Sequence, residues 1–297
     1  MIINRSTLSA FFTGLQTVFN SALHKVETYY DQYSMRVPSS TAAEQYAWMG
    51  LIPGLREWIG DRVLANIRTY DFTIKNKPWE RTLTVHRDHL ADDQAGIYAP
   101  LTEALALEVK RHPQELIDAL LLAGFSNICY DGQTFFNANH PTINEDGSVA
   151  LVSNFGGGSG NPWFLIDDTR GIKPFILQVR QEPNFTAMQD DTDERVFMAK
   201  EFRYGVDWRG NVGYGLWQLC YGSKQTLDAT GYQAARAAMM TMTGDNGRKL
   251  GLMPRLLICG PSNEAAAKNL LNADFLANGA TNIYKGTAKL VVSPYLP

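Results

Sequence analysis

The sequence predicts an α+β fold, and three observations lead to it. Apolar residues make up 45% of the 297 residues and charged residues 19%, which is the balance of a packed globular protein. Helical periodicity and strand-like runs both occur, and they are unevenly mixed instead of alternating regularly as in a parallel α/β protein. The length fits roughly one or two domains.

The first predicted helix is amphipathic and leads into a polar arm. Apolar residues from Leu8 to Val26 fall on one helical stripe. The tyrosine-rich stretch that follows, residues 27–46, contains Pro38 and several small hydroxyl residues, which indicates an extended segment. Such a helix needs an apolar surface, which is more usually its own domain and otherwise a neighbouring subunit.

A long hairpin is predicted over residues 69–86, "TYDFTIKNKPWERTLTVH". Apolar residues alternate on both of its arms, and the connection "NKPWER" places Trp79 towards solvent. Neither flank supplies a third strand, and an isolated two-stranded hairpin is marginal in water. We therefore expect another chain to cover it, with Trp79 as an interface anchor, unless the hairpin folds back on its own body.

Residues 98–124 predict the longest helix. Pro100 suits a first turn and Gly124 suits the position after the last one. Pro113 removes a backbone donor inside the pattern, which predicts either one kinked helix or two abutting helices divided near His112.

The second half predicts mainly strands with two helices. Residues 142–162 are rich in glycine and asparagine and predict a mobile loop. Helices are expected over about Gly231–Met242 and about Asn263–Leu271, the second capped by Ser262. Strands are expected in the segments "PWFLIDD", "KPFILQVR", "VFMAKEFRYGVDWRGNVGYGLWQLCYG", "PRLLICG" and "AKLVVS".

The segment "YDGQTFFNANHP", residues 130–141, has the residue types of an active site. Asp131 and His140 could form a general acid and base pair. Asp131 before Gly132 also favours a tight turn in which the carboxylate accepts a backbone N–H two residues on. His140 before Pro141 is held extended, where its ring can bond a neighbouring carbonyl or carboxylate. We expect the structural role.

Composition and motifs argue against several other classes. The net charge of −3 and pI near 6.0 offer no general attraction for nucleic acid. The three cysteines are far apart in sequence, which predicts neither a zinc site nor a disulfide framework and fits a reducing cytoplasm. His86 and His89 lack further ligands nearby, so we expect no metal or other cofactor. The first residues resemble no secretory signal and no run is long enough to span a membrane, so a soluble protein is expected.

Several segments together resemble one family, the major head subunit (gpT family) of Mu-like bacteriophages and prophages. They are "SSTAAEQYAWMGLIPGLREWIG", "DDQAGIYAPL", "CYDGQTFFNANHP", "KPFILQVRQEP", "VFMAKEFRYGVDWRGNVGYGLWQL", "GRKLGLMPRLLI" and "AKLVVSPYL". They cover the chain from end to end, so the resemblance does not rest on one motif.

The resemblance implies a Hong Kong 97-type capsid fold. It implies an N-terminal arm over residues 1–50 and an extended hairpin (E-loop) over residues 66–92. A peripheral domain would comprise residues 51–65, 93–160 and 181–222, with a spine helix at 98–124. An axial domain would comprise residues 161–180 and 223–297. The strands of residues 163–222 precede the helices of residues 231–271, which differs from the order in the type fold.

The function that the resemblance implies is a major capsid protein without catalytic residues. It would self-assemble as hexamers and pentamers into the icosahedral head of the virion, in the cytoplasm of a host bacterium. It would enclose double-stranded DNA without sequence-specific binding and without a membrane, and work with a scaffolding protein, a portal and a decoration protein. The expected assembly interface comprises Phe11, Phe12, Leu15, Phe19, Lys75, Lys77, Trp79 and Arg81. The alternatives are a minor head or connector protein and, from another class, a cytoplasmic hydrolase that uses Asp131 and His140.

Overall fold

The structure is a computed structural model that describes residues 4–46, 72–92, 94–144, 146–190, 192–275 and 279–297. The helices are α1 (Arg5–Leu23), α2 (Arg87–Ala91), α3 (Tyr98–Ala123), α4 (Glu194–Ala199), α5 (Ala229–Thr241) and α6 (Glu264–Leu271). The strands are β1 (Ser34–Pro38), β2 (Ala43–Gln45), β3 (Thr73–Lys75), β4 (Lys77–His86), β5 (His140–Ile143), β6 (Val149–Val152), β7 (Phe155–Gly158), β8 (Trp163–Ile166), β9 (Phe175–Met188), β10 (Glu201–Tyr214), β11 (Cys220–Lys224), β12 (Leu256–Cys259) and β13 (Lys289–Val292).

Two larger sheets and two small ribbons organise these strands. The long sheet has the order β1-β9-β10-β4, and the five-stranded sheet has the order β13-β12-β8-β11-β7. The ribbons pair β2 with β3 and β5 with β6, both antiparallel. The mixture of helices, antiparallel pairs and a few parallel pairs confirms the predicted α+β class.

Two clusters of buried side chains hold the elements together. One lies around the five-stranded sheet and includes Trp163, Trp217 and the inner faces of α5 and α6. The other lies where α1 and the first half of α3 cover the long sheet around Val85, Phe185 and Phe202. No helix in the described ranges is both long and apolar enough to cross a bilayer.

Helix α1 packs on its own subunit, which is the more usual of the two alternatives that its sequence left open. Its start is fixed by a capping box between Asn4 and Thr7. Phe19 is 1% exposed and stacks on Phe185 of β9 with ring centroids 5.0 Å apart. Burial of this stripe against the sheet removes apolar area from water within one chain.

The arm is not a free extension over the residues described. Strand β1 pairs in parallel with β9, so residues 34–38 are an edge of the long sheet. Tyr33 is fully buried and donates its hydroxyl proton to Asp118 of α3 at 2.8 Å. Three of the tyrosines in this predicted arm, Tyr30, Tyr33 and Tyr46, are therefore core residues, whereas Tyr29 is exposed.

The predicted hairpin of residues 69–86 is wrong in its pairing. Strand β3 pairs with β2, whereas β4 pairs along its whole length with β10, from Lys77 opposite Gly210 to His86 opposite Glu201. The third strand is supplied by a segment more than one hundred residues away, which no local pattern indicates. The predicted peripheral segment 51–65 and residues 66–71 lie outside the described residues.

Helix α3 is one continuous helix with Pro113 inside it, so the alternative of two abutting helices is wrong. Residues 142–162, predicted as a mobile loop, instead form β5, β6 and β7 with short connections. Helices α5 and α6 match their predicted positions to within about two residues, but the residue before α6 is Asn263, and no side chain caps that helix.

Candidate functional site

The turn at residues 129–133 has the geometry predicted for Asp131. Its Oδ1 accepts the backbone N–H of Gln133 at 3.0 Å and the thiol of Cys129 at 3.1 Å. Gly132 has φ +82°, a conformation that glycine adopts without a steric cost. The prediction of a structural Asp turn is confirmed.

His140 lies at the start of β5 and is completely buried. Its Nδ1 is 2.6 Å from Oδ2 of Asp131, and its Nε2 is 3.1 Å from Oδ1 of Asn154. The ring is stacked on Trp217 with centroids 3.9 Å apart and planes 8° apart. We call Cys129, Asp131, His140, Asn154 and Trp217 the His140 cluster.

Asn154 organises this cluster, and the sequence analysis missed it. Its Nδ2 donates to three backbone carbonyl oxygens, those of Phe135, Trp217 and Cys220, at 2.8, 3.3 and 3.1 Å. Its Oδ1 also accepts the N–H of Asn137 at 2.9 Å. The only signal in the sequence was an asparagine between two apolar segments, which is common in loops.

The hydrogen bonds of Asn154 also fix the surroundings of His140. Because backbone carbonyls hold the Nδ2 end of the amide, its oxygen faces Nε2 of His140. Nδ1 faces a carboxylate oxygen of Asp131, so both ring nitrogens lie next to an acceptor. The ring itself lies flat on Trp217.

The pKa of Asp131 is consistent with its hydrogen bond to His140. Burial by itself raises the pKa of the carboxyl. The hydrogen bond and the charge of His140, helped by Cys129 and Gln133, act in the other direction and leave the pKa below its ordinary value. Asp131 is held ionised inside the protein.

The enclosure of the cluster decides between a catalytic and a structural role. Phe135 and Phe136 are almost fully buried beside it, and the side chain of Asp131 is 3% exposed. A surface depression of about 480 Å³ lies elsewhere, lined by residues 158–161, 224–226 and 263. A general base must reach the proton that it abstracts. The geometry therefore favours a structural hydrogen-bonded pair over the hydrolase alternative.

Cys129, Asp131 and His140 are also a group of metal-ligating types whose ligand atoms lie within 4.8 Å of one another. The 2.6 Å between Nδ1 and Oδ2 is the length of a charge-assisted hydrogen bond. Zinc at its usual bond lengths would hold those two atoms about 3.3 Å apart. A metal would need the hydrogen bond to open, so the present arrangement is a direct hydrogen bond between the two side chains.

A second buried carboxyl, Asp118 of α3, joins three distant parts of the chain. Its oxygens accept from the hydroxyls of Tyr33 and Ser293 at 2.8 and 2.5 Å and from the amide of Gln114 at 2.8 Å. Burial raises the pKa of Asp118, and the three neutral donors offset this only in part. The network ties α3 to the residue before β1 and to the residue after β13.

The predicted interface residues of α1 face the interior. Phe11 meets the rings of Tyr98 and Tyr204 edge-on, and Phe12 stacks on Phe185. Leu15 and Phe19 are buried with them. In the isolated subunit Leu15 and Phe19 are buried and Phe11 and Phe12 are partly buried, and the place of these four residues in an assembly interface stays a prediction.

Trp79 also contacts its own subunit. It is half-buried, its Nε1–H donates to the carbonyl of Gly210 at 3.1 Å, and its ring lies 4.5 Å from that of His112 and 6.2 Å from that of Trp208. The expectation of a solvent-facing hairpin tip at Trp79 is wrong. Lys75, Lys77 and Arg81 are exposed, and their place in an interface stays a prediction.

The surface around α4 carries a feature that the sequence patterns above did not indicate. Residues 188–190 and 192–199 connect β9 to β10 in the described part of the chain, and we call them the acidic tip. Phe197 and Met198 are 79% and 74% exposed there, while Val196 of the same helix is buried. The signal available in the sequence was the pair "FM" two residues after a run with four acidic residues.

A family description matches almost the whole chain. The description, Mu-like prophage major head subunit gpT, covers residues 8–296. The Mu-like prophage FluMu major head subunit of Haemophilus influenzae is 38% identical over 300 residues, 97% of either chain. The major capsid protein of Escherichia phage Mu is 36% identical over 305 residues, 100% of either chain.

Solved structures give the same result at the level of the fold. The chain from the procapsid of bacteriophage JBD30 superposes with a TM-score of 0.89 at 38% identity, covering 99% of this chain and 100% of that one. The chain from the JBD30 capsid superposes with a TM-score of 0.79 at 28% identity over 100% of both chains.

Proposed function

The chain belongs to the Mu-like prophage major head subunit gpT family and has the Hong Kong 97-type capsid fold, and from this premise we propose that its copies assemble into an icosahedral phage head. The observation that carries the proposal is the extent of the match, because the superposition on the JBD30 procapsid subunit covers 99% of the chain. A connector or an enzyme that shared one domain would match over part of the length.

The shell would enclose the packaged double-stranded DNA without reading its sequence. Support comes from the net charge of −3, which avoids the tight, salt-dependent phosphate binding of basic proteins. A shell that held DNA strongly would hinder its release.

The proposal includes further head proteins as partners, namely a scaffolding protein, a portal and a decoration protein. One relative at 27% identity, with a TM-score of 0.77, comes from a JBD30 capsid decorated with minor capsid protein trimers. For this chain, membership of the family is what supports the scaffolding protein, the portal and the decoration protein as partners.

We also infer that the subunit carries no catalytic residues. The pair that suggested chemistry, Asp131 and His140, is enclosed and fully hydrogen-bonded.

In the proposed architecture α3 is the spine helix, and the division into peripheral and axial domains stays as predicted from the resemblance. The two sheets do not follow its boundaries closely, because β9 starts at Phe175 inside the predicted axial segment and β7 lies in the predicted peripheral one.

Electron microscopy of the protein expressed alone and with its neighbouring head genes tests the proposal. We expect closed shells or capsomers, with this chain as the most abundant protein of purified heads. A small oligomer that never forms shells, or a copy number of about a dozen per head, would instead support the connector alternative.

A further inference from the structure

We propose that the acidic tip of one subunit docks on the basic face of β4 in a neighbouring copy of this chain. The proposal rests on the proposed function, because a closed shell requires each subunit to present two different surfaces that fit each other. Such head-to-tail contacts close into rings when the rotation between copies allows it.

The acidic tip is a built surface and not a loose loop. Asp190 Oδ1 accepts the N–H and the hydroxyl of Thr192 at 3.1 and 2.9 Å, and Asp193 Oδ2 accepts the N–H of Asp190 at 3.0 Å. Val196 anchors α4 in the cluster of buried side chains that α1, α3 and the long sheet form. The turn therefore holds Phe197 and Met198 outward on a fixed support.

The exposed side chains of the tip are apolar ones that folding normally buries. Phe197 and Met198 are 79% and 74% exposed, and Met188 at the end of β9 is 47% exposed. Aromatic residues and methionine are enriched in the cores of interfaces. Scattered single apolar residues need no explanation, but these three share one turn.

The charge of the tip indicates what its partner surface must carry. Residues 189–194 contain four acidic residues and no basic one, and Arg195 follows. A complementary surface should present cations around an apolar or aromatic centre, since interfaces match potentials of opposite sign.

The β4 face of the same chain has that composition. Lys77, Trp79 and Arg81 are alternate residues of one strand and so project from one face of it. Both cations are exposed and the indole is half-buried between them. Lys75 on β3 extends the exposed basic region.

One chain cannot bring these two surfaces together. His86, at the α4 end of β4, pairs with Glu201, while Lys77 pairs with Gly210 at the other end. Nine residues of strand separate those ends by about 30 Å. Contact between the acidic tip and the β4 face therefore requires a second copy, which would arrange subunits head to tail along the long sheet.

Mixed assembly with two single-cysteine variants tests the contact directly. One chain carries Met198→Cys and the other Lys77→Cys, and the three native cysteines are buried. A short bis-maleimide added to shells that contain both variants should link the two chains. Shells that assemble normally and give no link would overturn the contact while leaving the proposed function intact. A link from the thiol introduced at position 198 to a different head protein would assign the tip to that partner and also overturn the contact.

Substitutions at the tip test its contribution. Phe197→Ser with Met198→Ser should lower the yield of shells at least tenfold while the far-UV circular dichroism stays unchanged. The matched control is Met253→Ser with Ile283→Ser, since these side chains are 59% and 73% exposed outside the tip. An equal loss of shell yield in the control would show that any added surface polarity lowers assembly, which would contradict the proposal.

Exchange of charge tests the pairing. Glu194→Lys and Lys77→Glu should each reduce assembly severalfold, and the chain with both changes should recover a large part of the loss. Losses that add, without recovery, would show that the two residues act at separate contacts.

Discussion

The His140 cluster buries polar side chains, and the acidic tip exposes apolar ones. Both arrangements are the reverse of the usual distribution in a folded protein. In the cluster a hydrogen-bonded pair and an asparagine are completely buried, with hydrogen bonds to both ring nitrogens of His140. At the tip a phenylalanine and a methionine face solvent. Residue type alone therefore does not reveal a functional surface, since the side chains typical of chemistry stabilise the subunit and the apolar ones are available to partners.

The largest effect is expected from Asn154→Ala. The change removes one amide that serves three carbonyls, one backbone N–H and His140, all in the interior. Buried groups left without partners cost about 1 to 3 kcal/mol each, so the free energy of unfolding should fall by about 4 kcal/mol. Denaturant titration measures it. Asn144→Ala, which removes one solvent-accessible hydrogen bond to Ser148, is the matched control and should stay within about 0.5 kcal/mol of the wild type.

His140→Ala should lower the free energy of unfolding by about 3 kcal/mol. The substitution leaves the Asp131 carboxylate buried without its partner and opens space against Trp217. Urea titration of the free subunit gives the value, with exposed His24→Ala as the reference. If His140→Ala kept full stability but abolished a measurable turnover, the cluster would be an active site and the comparison would fail.

A smaller loss, about 2 kcal/mol, is expected from Trp79→Ala. Trp79 is half-buried and contacts Trp208 and His112 in its own subunit, so part of its surface contributes to folding. Its exposed part belongs to the β4 face on which the acidic tip of a neighbouring copy is proposed to dock, so assembly should weaken as well. Thermal unfolding of the free subunit and shell yield separate the two effects. Unchanged unfolding with lost assembly would make Trp79 an interface residue only.

The pH dependence distinguishes the two buried carboxyls, Asp131 and Asp118. The folded-state pKa of Asp131 is below its ordinary value of 3.8, so its stabilisation is present above pH 3.8 and is lost as pH falls through the lowered pKa. The folded-state pKa of Asp118 is above 3.8, so protonation favours the folded state and stability declines as pH rises from 3.8 through the raised pKa.

Asp131→Asn should therefore reduce the loss of folding stability that occurs as pH falls below 3.8. Asp118→Asn should remove the decline of folding stability that occurs as pH rises above 3.8. Unfolding free energies measured across this range for the two variants and the wild type check both signs. Identical pH profiles for the two variants would contradict the opposite directions of the two pKa shifts.

The smallest effect on folding is expected at the acidic tip. Phe197→Ser with Met198→Ser removes side chains that already face solvent, so the free energy of unfolding should change by less than about 0.5 kcal/mol. Denaturant titration of free subunits checks it. A loss of several kcal/mol would show that these residues pack in the subunit and are not free for a neighbour.

Local features of both regions could be predicted, and long-range pairings could not. The turn at Asp131 follows from its neighbour Gly132, and α3 follows from a pattern contained in its own residues. Strand β4 looked like half of a hairpin because its partner β10 lies more than one hundred residues away. Asn154 reaches His140 only after β5 and β6 pair. Burial of α1 depends on β9, which no pattern in α1 specifies.

Hydrogen exchange, compared between free subunits and assembled shells, tests the central claim most directly. The claim is that the His140 cluster stabilises the subunit and the acidic tip joins subunits. Backbone amides of residues 127–140 should exchange equally slowly in both states, while those of residues 188–199 should exchange fast in the free subunit and slowly in the shell. Equal exchange of residues 188–199 in both states, with new protection at residues 127–140 on assembly, would contradict the account.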